Sequence, residues 1–224
     1  MKVDWEHPEN PPQGVSYVQL LEALRSALPA PFILTSALPA GEWALRNIAI
    51  GRASTYLDYI NVMAYDFAGP WTERCGYQSQ LFTPKSPYSD AATTSCQSGV
   101  RYLVSQGVPP PKILLGIPAY GRSFLGAKQA GDKYTGQGGE DGVFEYRDLP
   151  RPGAKVSVDQ ITGAAYCIGG DGGFVSYDNQ ETVQLKAKYA KEHKLAGLFF
   201  WTGTGDAQSP RSLVETASVA LNGT

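Results

Sequence analysis

"MKVDWEHPE", residues 1–9, governs how the rest of the chain is read. In an extended strand, residues two apart share a face. Lys2, Asp4 and Glu6 therefore point one way and Val3 and Trp5 the other, with same-face α-carbons about 6.6 Å apart. Two neighbouring carboxylates repel when both are ionised. A carboxyl kept partly protonated near neutrality can act as a general acid. Asp-x-Glu is common and means little alone. Its weight comes from three later stretches, each closing a strand-like run: "MAYD" (63–66), "IPAYGR" (117–122) and "FFW" (199–201).

Between these stretches, strand-like and helix-like segments alternate. Residues 16–28 show helical spacing through Val18, Leu21, Leu24 and Leu28, with Ser16 as candidate cap. Strand signals follow at 31–39, 58–66, 112–121 and 195–201. Helix signals cover 48–57, 90–107 (ending at Gly107), 179–193 (capped by Asn179 or Asp178) and 210–221 (Ser209 before it). A Gly-, Pro- and Ser-rich loop spans 67–90. Residues 122–176 break the rhythm: they read as turns with short strands such as "GVFEY" and "GGFVSY". This pattern predicts an α/β fold of parallel strands with right-handed crossovers. No Gly-rich phosphate loop is present. Polar residues gather at the strands' C-terminal ends, as they do in β/α barrels. Only five strand candidates can be counted, whereas a closed barrel needs eight.

Composition excludes several classes. Net charge is −2 with scattered Lys and Arg, so neither nucleic acid nor an anionic membrane is an expected partner. No apolar run is long enough to span a membrane, and residues 1–15 have no signal-peptide core. The two histidines, His7 and His193, are far apart and give no zinc spacing. No metal or other cofactor is expected. The three cysteines, Cys75, Cys96 and Cys167, leave two readings open: a Cys75–Cys96 bridge across the long loop, or three buried thiols. Aromatics at 11% suit sugar stacking and aromatic cores equally.

Taken together and in order, "DWE", "MAYD", "IPAYGR" and "FFW" resemble the C-terminal part of a glycoside hydrolase family 18 chitinase, most like the fungal members. The resemblance covers essentially all 224 residues. It implies an incomplete TIM-type (β/α)8 barrel, from the end of strand 4 through helix 8. A small α+β subdomain is inserted after strand 7. The implied division is barrel (1–121), chitin-insertion-like subdomain (122–176) and barrel again (177–224). It implies retaining, substrate-assisted cleavage of β-1,4-linked N-acetylglucosamine polymers. Glu6 would be the general acid, Asp4 the partner of the substrate's acetamido N–H, and Tyr65 the group orienting the acetamido carbonyl. Asp66, Met63, Trp201, Tyr120 and Arg122 would bind substrate. Plainer roles stay open: Trp201 in the core, Met63 as packing beneath the site, Arg122 paired with a subdomain acid, Asp66 capping the following loop.

The sequence departs from the family's pattern at two positions. Lys2 stands where an acid is expected, and should draw Asp4 inward as a carboxylate. His7 replaces the usual Tyr. The chain also starts where the family's fourth strand ends. The expectation is a fragment with an exposed barrel interior and unpaired edges, prone to association and inactive on its own. The full-length relative would be monomeric and extracellular. A non-catalytic chitin- or oligosaccharide-binding remnant is the competing reading. An endoglycosidase acting on N-linked glycans is a third.

Overall fold

Pro11 and Pro12 open the first helix, where their missing N–H groups cost nothing because the first turn has no intrahelical acceptors. Asn10 precedes them and its side chain accepts from the Gln13 amide at 3.0 Å. Helix α1 therefore spans Pro11–Ala27, and the cap is Asn10 rather than Ser16. The computed structural model describes residues 1–223.

Strand β1 (Lys2–Val3) precedes α1; β2 (Thr35–Pro39), α2 (Glu42–Leu45), α3 (Ile50–Tyr56) and β3 (Tyr59–Met63) follow it. A long connection leads to α4 (Cys96–Ser105), which begins later than residue 90 because Ser95 and Ser98 form a reciprocal capping box there. Gly107 ends it in the left-handed region, φ 88°. Then come β4 (Ile113–Pro118), β5 (Tyr120–Phe124), β6 (Val143–Glu145), β7 (Lys155–Asp159), β8 (Ala164–Ile168) and β9 (Phe174–Tyr177). The chain closes with α5 (Gln180–Glu192), β10 (Gly197–Trp201) and α6 (Leu213–Asn222). Asn179 caps α5, as expected; Ser212, not Ser209, caps α6.

The described residues form two five-stranded sheets. The first is parallel throughout, in the order β1-β2-β3-β4-β10. The second is antiparallel, in the order β6-β5-β9-β8-β7. Strands β5, β7 and β8 were not visible in the sequence pattern.

Alternation organises the parallel sheet. Val3, Leu38, Ile60, Val62, Ile113 and Leu115 are buried in one apolar layer with Tyr17, Leu21, Ile50 and Val100 of the helices. Each fully buried aliphatic side chain contributes about 1.5–3 kcal/mol. The opposite face carries Lys2, Asp4, Thr35, Tyr59, Asn61 and Met63, all exposed or half-buried. A second apolar cluster joins Ile117, Val183 and Leu213, and a third joins Phe124 and Phe174 to Tyr77 of the long connection.

All three cysteines are free and buried, which removes the Cys75–Cys96 bridge. The two sit in different clusters: Cys75 donates to the Gln129 carbonyl at 2.9 Å, and Cys96 lies in the apolar layer of the parallel sheet. Burial pushes the Cys96 thiol up to about 11.

One buried ion pair locks the end of β9 to α5 and the long connection. Lys186 Nζ reaches Asp178 Oδ2 at 2.5 Å, with both side chains all but inaccessible. Asp178 also accepts from Ser79 Oγ at 3.0 Å and Thr182 Oγ1 at 2.7 Å. Removing the acid strands a buried ammonium, so Asp178→Ala should destabilise by about 3–5 kcal/mol in urea unfolding. Lys186→Met should cost less, because Asp178 keeps both hydroxyl donors. The reverse ranking would contradict this account.

Candidate active site

The inner face of the parallel sheet gathers the polar groups. Lys2 Nζ pairs with Asp4 Oδ2 at 3.1 Å and lies 5.1 Å from the centroid of the Trp201 ring. Lys2 belongs to the first strand of the sheet and Trp201 to the last. Five flat strands would hold those backbones about 19 Å apart, so the sheet curls to bring its two edges' side chains together. Lys2 thus pairs with Asp4, and both side chains remain partly exposed.

Trp201 is 47% exposed. Its neighbours along the chain, Leu198 and Phe200, pack into the apolar clusters on the other side. It is not a core tryptophan. Glu6 is exposed and makes no hydrogen bond or ion pair among the described residues.

Tyr65 follows β3. Burial raises its pKa first, followed by the negative charges of Asp66, Glu6 and Asp4. The phenol therefore stays protonated and faces a field shared with both candidate catalytic acids. Its ring lies edge-on to Tyr120 (6.1 Å) and Phe199 (6.4 Å). Gly116 makes this possible: a Cβ there would sit 2.8 Å from both Tyr65 Cε1 and Phe199 Cζ.

Asp66 adopts a left-handed φ of 60°. Asp tolerates that region better than most residues. It accepts from Arg122 Nε at 2.8 Å and Nη2 at 2.9 Å, a bidentate pair. Arg122 thus pairs with an acid of the candidate site, not one of the second sheet. Its guanidinium also stands 5.0 Å from the Trp71 ring and 5.4 Å from that of Tyr120. Burial, reinforced by the Asp66 charge, raises the Tyr120 pKa well above its ordinary value.

Met63, Tyr65 and Asp66 also line a cleft of ≈ 450 Å³, together with Pro39, Trp43 and Trp71. That size lies within the usual range for small-molecule sites. Asp4, Glu6 and Trp201 do not line it; they occupy the adjoining inner face, and Tyr65 connects the two regions. Among the described residues no three His, Cys, Asp or Glu side chains group closely enough to hold a metal ion.

Sequence reasoning missed Trp43 and Trp71. The signal was a repeated Gly-x-Trp, "GEW" (41–43) and "GPW" (69–71), each soon after an inner-face strand.

The sequence profile of Glycosyl hydrolases family 18 matches residues 1–206. The chain belongs to that family. It is 34% identical to Endochitinase 1 of Metarhizium robertsii, covering 99% of this chain and 55% of that protein. It is 30% identical to Sporulation-specific chitinase 2 of Saccharomyces cerevisiae, covering 98% and 49%. A plant class V chitinase mutant from Cycas revoluta, solved with (GlcNAc)3, superposes with a TM-score of 0.85 at 30% identity, covering 98% of this chain and 66% of that one. The α/β fold is therefore that of family 18 chitinases. The family 18 chain spans about half the length of these curated relatives.

His7 follows Glu6 and meets the Trp43 ring edge-on at 5.0 Å. Burial pushes its pKa below 6.5, against the upward pull of Glu6 and Glu9. A histidine depressed in the folded state favours folding above the unfolded pKa, and that contribution fades as pH falls through the folded pKa. The His7 ring should titrate below 6.5 by NMR, and stability should decline from neutral pH into the acid range more in the wild type than in His7→Gln. A midpoint above 6.5 would contradict the assigned burial.

Proposed function

We propose that this chain carries the reaction centre of a chitinase cleaving β-1,4-linked N-acetylglucosamine with retention of configuration. The observation that supports it most is the shared inner face: Asp4 and Glu6 act electrostatically on Tyr65, and Lys2 links Asp4 to Trp201. On this reading, β1 to β4 and β10 correspond to strands four to eight of a (β/α)8 barrel. The antiparallel sheet is then a subdomain inserted after strand seven, giving the division 1–121, 122–176 and 177–224.

The chemistry follows from the residue types. A sugar lies on Trp201, its apolar face against the indole. Glu6 donates its proton to the glycosidic oxygen as the bond from C1 to that oxygen breaks. The sugar's acetamido carbonyl oxygen attacks C1, forming an oxazolinium ion. Asp4 accepts a hydrogen bond from the acetamido N–H and stabilises the positive charge. The Tyr65 hydroxyl donates to the carbonyl oxygen and holds it in line. Water then attacks C1, the C1 bond to the acetamido oxygen breaks, and Glu6 takes the water's proton. Asp66, Met63, Tyr120 and Arg122 shape the adjoining sugar contacts. The partner is thus a chito-oligosaccharide or chitin. The whole protein would act outside the cell as a monomer.

A second reading rests on Lys2. Its ammonium stands over the Trp201 ring, where a sugar would stack, and holds Asp4. An Asp4 engaged by Lys2 is less free to serve the acetamido N–H, which suits a chain that binds sugar in the adjoining cleft without cleaving it.

Fluorophore release from a chitobiose glycoside separates the two. Catalysis predicts turnover that Glu6→Gln lowers by about 10²-fold or more, and that Lys2→Asp raises. Chitin binding with no turnover in either the wild type or Lys2→Asp would favour the binding-only reading.

A further inference from the structure

The chain holds five asparagines, and four of them are engaged within the fold. Asn10 caps α1 and Asn179 caps α5. The Asn47 side chain donates to the Pro8 carbonyl at 3.1 Å. Asn61 lies within β3 with its Oδ1 buried. Asn222 differs. It is the last residue of α6, and it is exposed. Its side-chain amide reaches Ser218 Oγ only at 3.5 Å, longer than an ordinary hydrogen bond.

Asn222 is also the one asparagine with a hydroxyl residue two positions on, in "NGT" (222–224). The others are followed at that distance by Pro12, Ala49, Met63 and Glu181. Asn-x-Ser/Thr, with x other than Pro, is the acceptor pattern for N-linked oligosaccharide on a protein surface. The local structure suits that use. Gly223 ends α6 in the left-handed region, φ 69°, so the chain leaves the helix directly after Asn222. A Cβ on Gly223 would meet nothing within 4 Å. Thr224 lies outside the described residues.

The position keeps the cleft clear. Lys191, near the end of α5, donates to the Ala220 carbonyl at 3.4 Å. From α5 the chain passes into β10 at Gly197. The end of α6 therefore lies beside the start of β10, whereas Trp201 closes that strand about 13 Å further along.

We infer that Asn222 is an acceptor for N-linked oligosaccharide, on the rim opposite the candidate reaction centre. The donor is a polyprenyl-pyrophosphate-linked oligosaccharide, supplied with its transferase in the secretory pathway. The Asn222 amide nitrogen bonds to C1 of the first sugar as the bond from C1 to the phosphate oxygen breaks. The lipid pyrophosphate leaves, and one amide proton passes to solvent. The inference goes beyond the chitinase reading and rests only on the placement of the whole protein outside the cell.

The test is cell-free translation of the full chain behind a cleavable secretion leader, with microsomes present. Protein inside protease-protected vesicles is compared by gel mobility before and after an endoglycosidase that cleaves the sugar–asparagine bond. The wild type should carry one oligosaccharide that the enzyme removes. Asn222→Gln and Thr224→Ala should run as the bare chain, whereas Thr224→Ser should still be modified. A bare wild type in those vesicles, or an oligosaccharide that persists in Asn222→Gln, overturns the inference. Protein isolated from its own cells separates the two readings: a bare intracellular chain, with modification in microsomes, would sink the extracellular placement and leave the acceptor site standing. Turnover of the chitobiose glycoside should agree within about twofold between modified and bare protein; a loss of about tenfold or more on modification would contradict the rim position.

Discussion

The registered parallel pairing of five strands, with alternating burial clearest in β1 and β3, is the constraint on which the rest depends. Each strand commits every second side chain to the apolar layer beneath the helices, and so presents the others on one continuous inner face. A one-residue slip in β1 would bury Asp4 and expose Val3. Register here is secured by neighbours on the buried side: Tyr17 donates to Ser36 Oγ at 2.7 Å, and Ser36 donates to the Val3 carbonyl at 3.0 Å. The position of the candidate acid pair is thus set by a hydrogen-bonded chain on the far face of the sheet.

The second constraint is the coupling of the two sheets across the long connection. Asp66 leaves β3 and is gripped by Arg122 of β5. Further on, the Gln78 side chain donates to the Tyr120 carbonyl at 2.8 Å, and the Gln78 backbone N–H donates to Ser176 Oγ at 2.9 Å. Ser79 donates to Asp178 within the buried ion pair. The antiparallel sheet therefore positions the cleft wall without supplying its floor. Changes in that sheet should reach the cleft through Arg122 and Tyr120, whose rings and charges pack on Tyr65, Asp66 and Trp71.

Legibility in the sequence tracked local physics. The parallel strands could be read because each is a short apolar run with a polar end, and the parity of "KVDWE" set which side chains share a face. Helix α5 could be read from its cap. The cap of helix α1 lies six residues before the one assigned to it because Pro-Pro reads as a breaker until an asparagine is seen to serve the free amides. Strands β7 and β8 were hidden: "KVSVD" and "AAYCI" carry little alternating apolar signal, and their pairing depends on partners distant in sequence. Among candidate site residues, Asp4, Glu6, Tyr65 and Trp201 stood out as strand-end polar or aromatic positions. Arg122 was visible, but its partner was not, since the pair joins residues 56 apart. Trp43 and Trp71 escaped because their place in the cleft appears only once the backbone is folded.

The central claim is that the inner-face groups at positions 4, 6, 65 and 201 surround one amino-sugar unit. A crystal structure of the Glu6→Gln chain with a bound chito-oligosaccharide tests it most directly. The account predicts a pyranose ring lying on Trp201 with Lys2 displaced from that face, its acetamido N–H donating to Asp4, and its carbonyl oxygen accepting from Tyr65. A sugar bound elsewhere on the chain, with Lys2 still over Trp201 and Asp4, would contradict it.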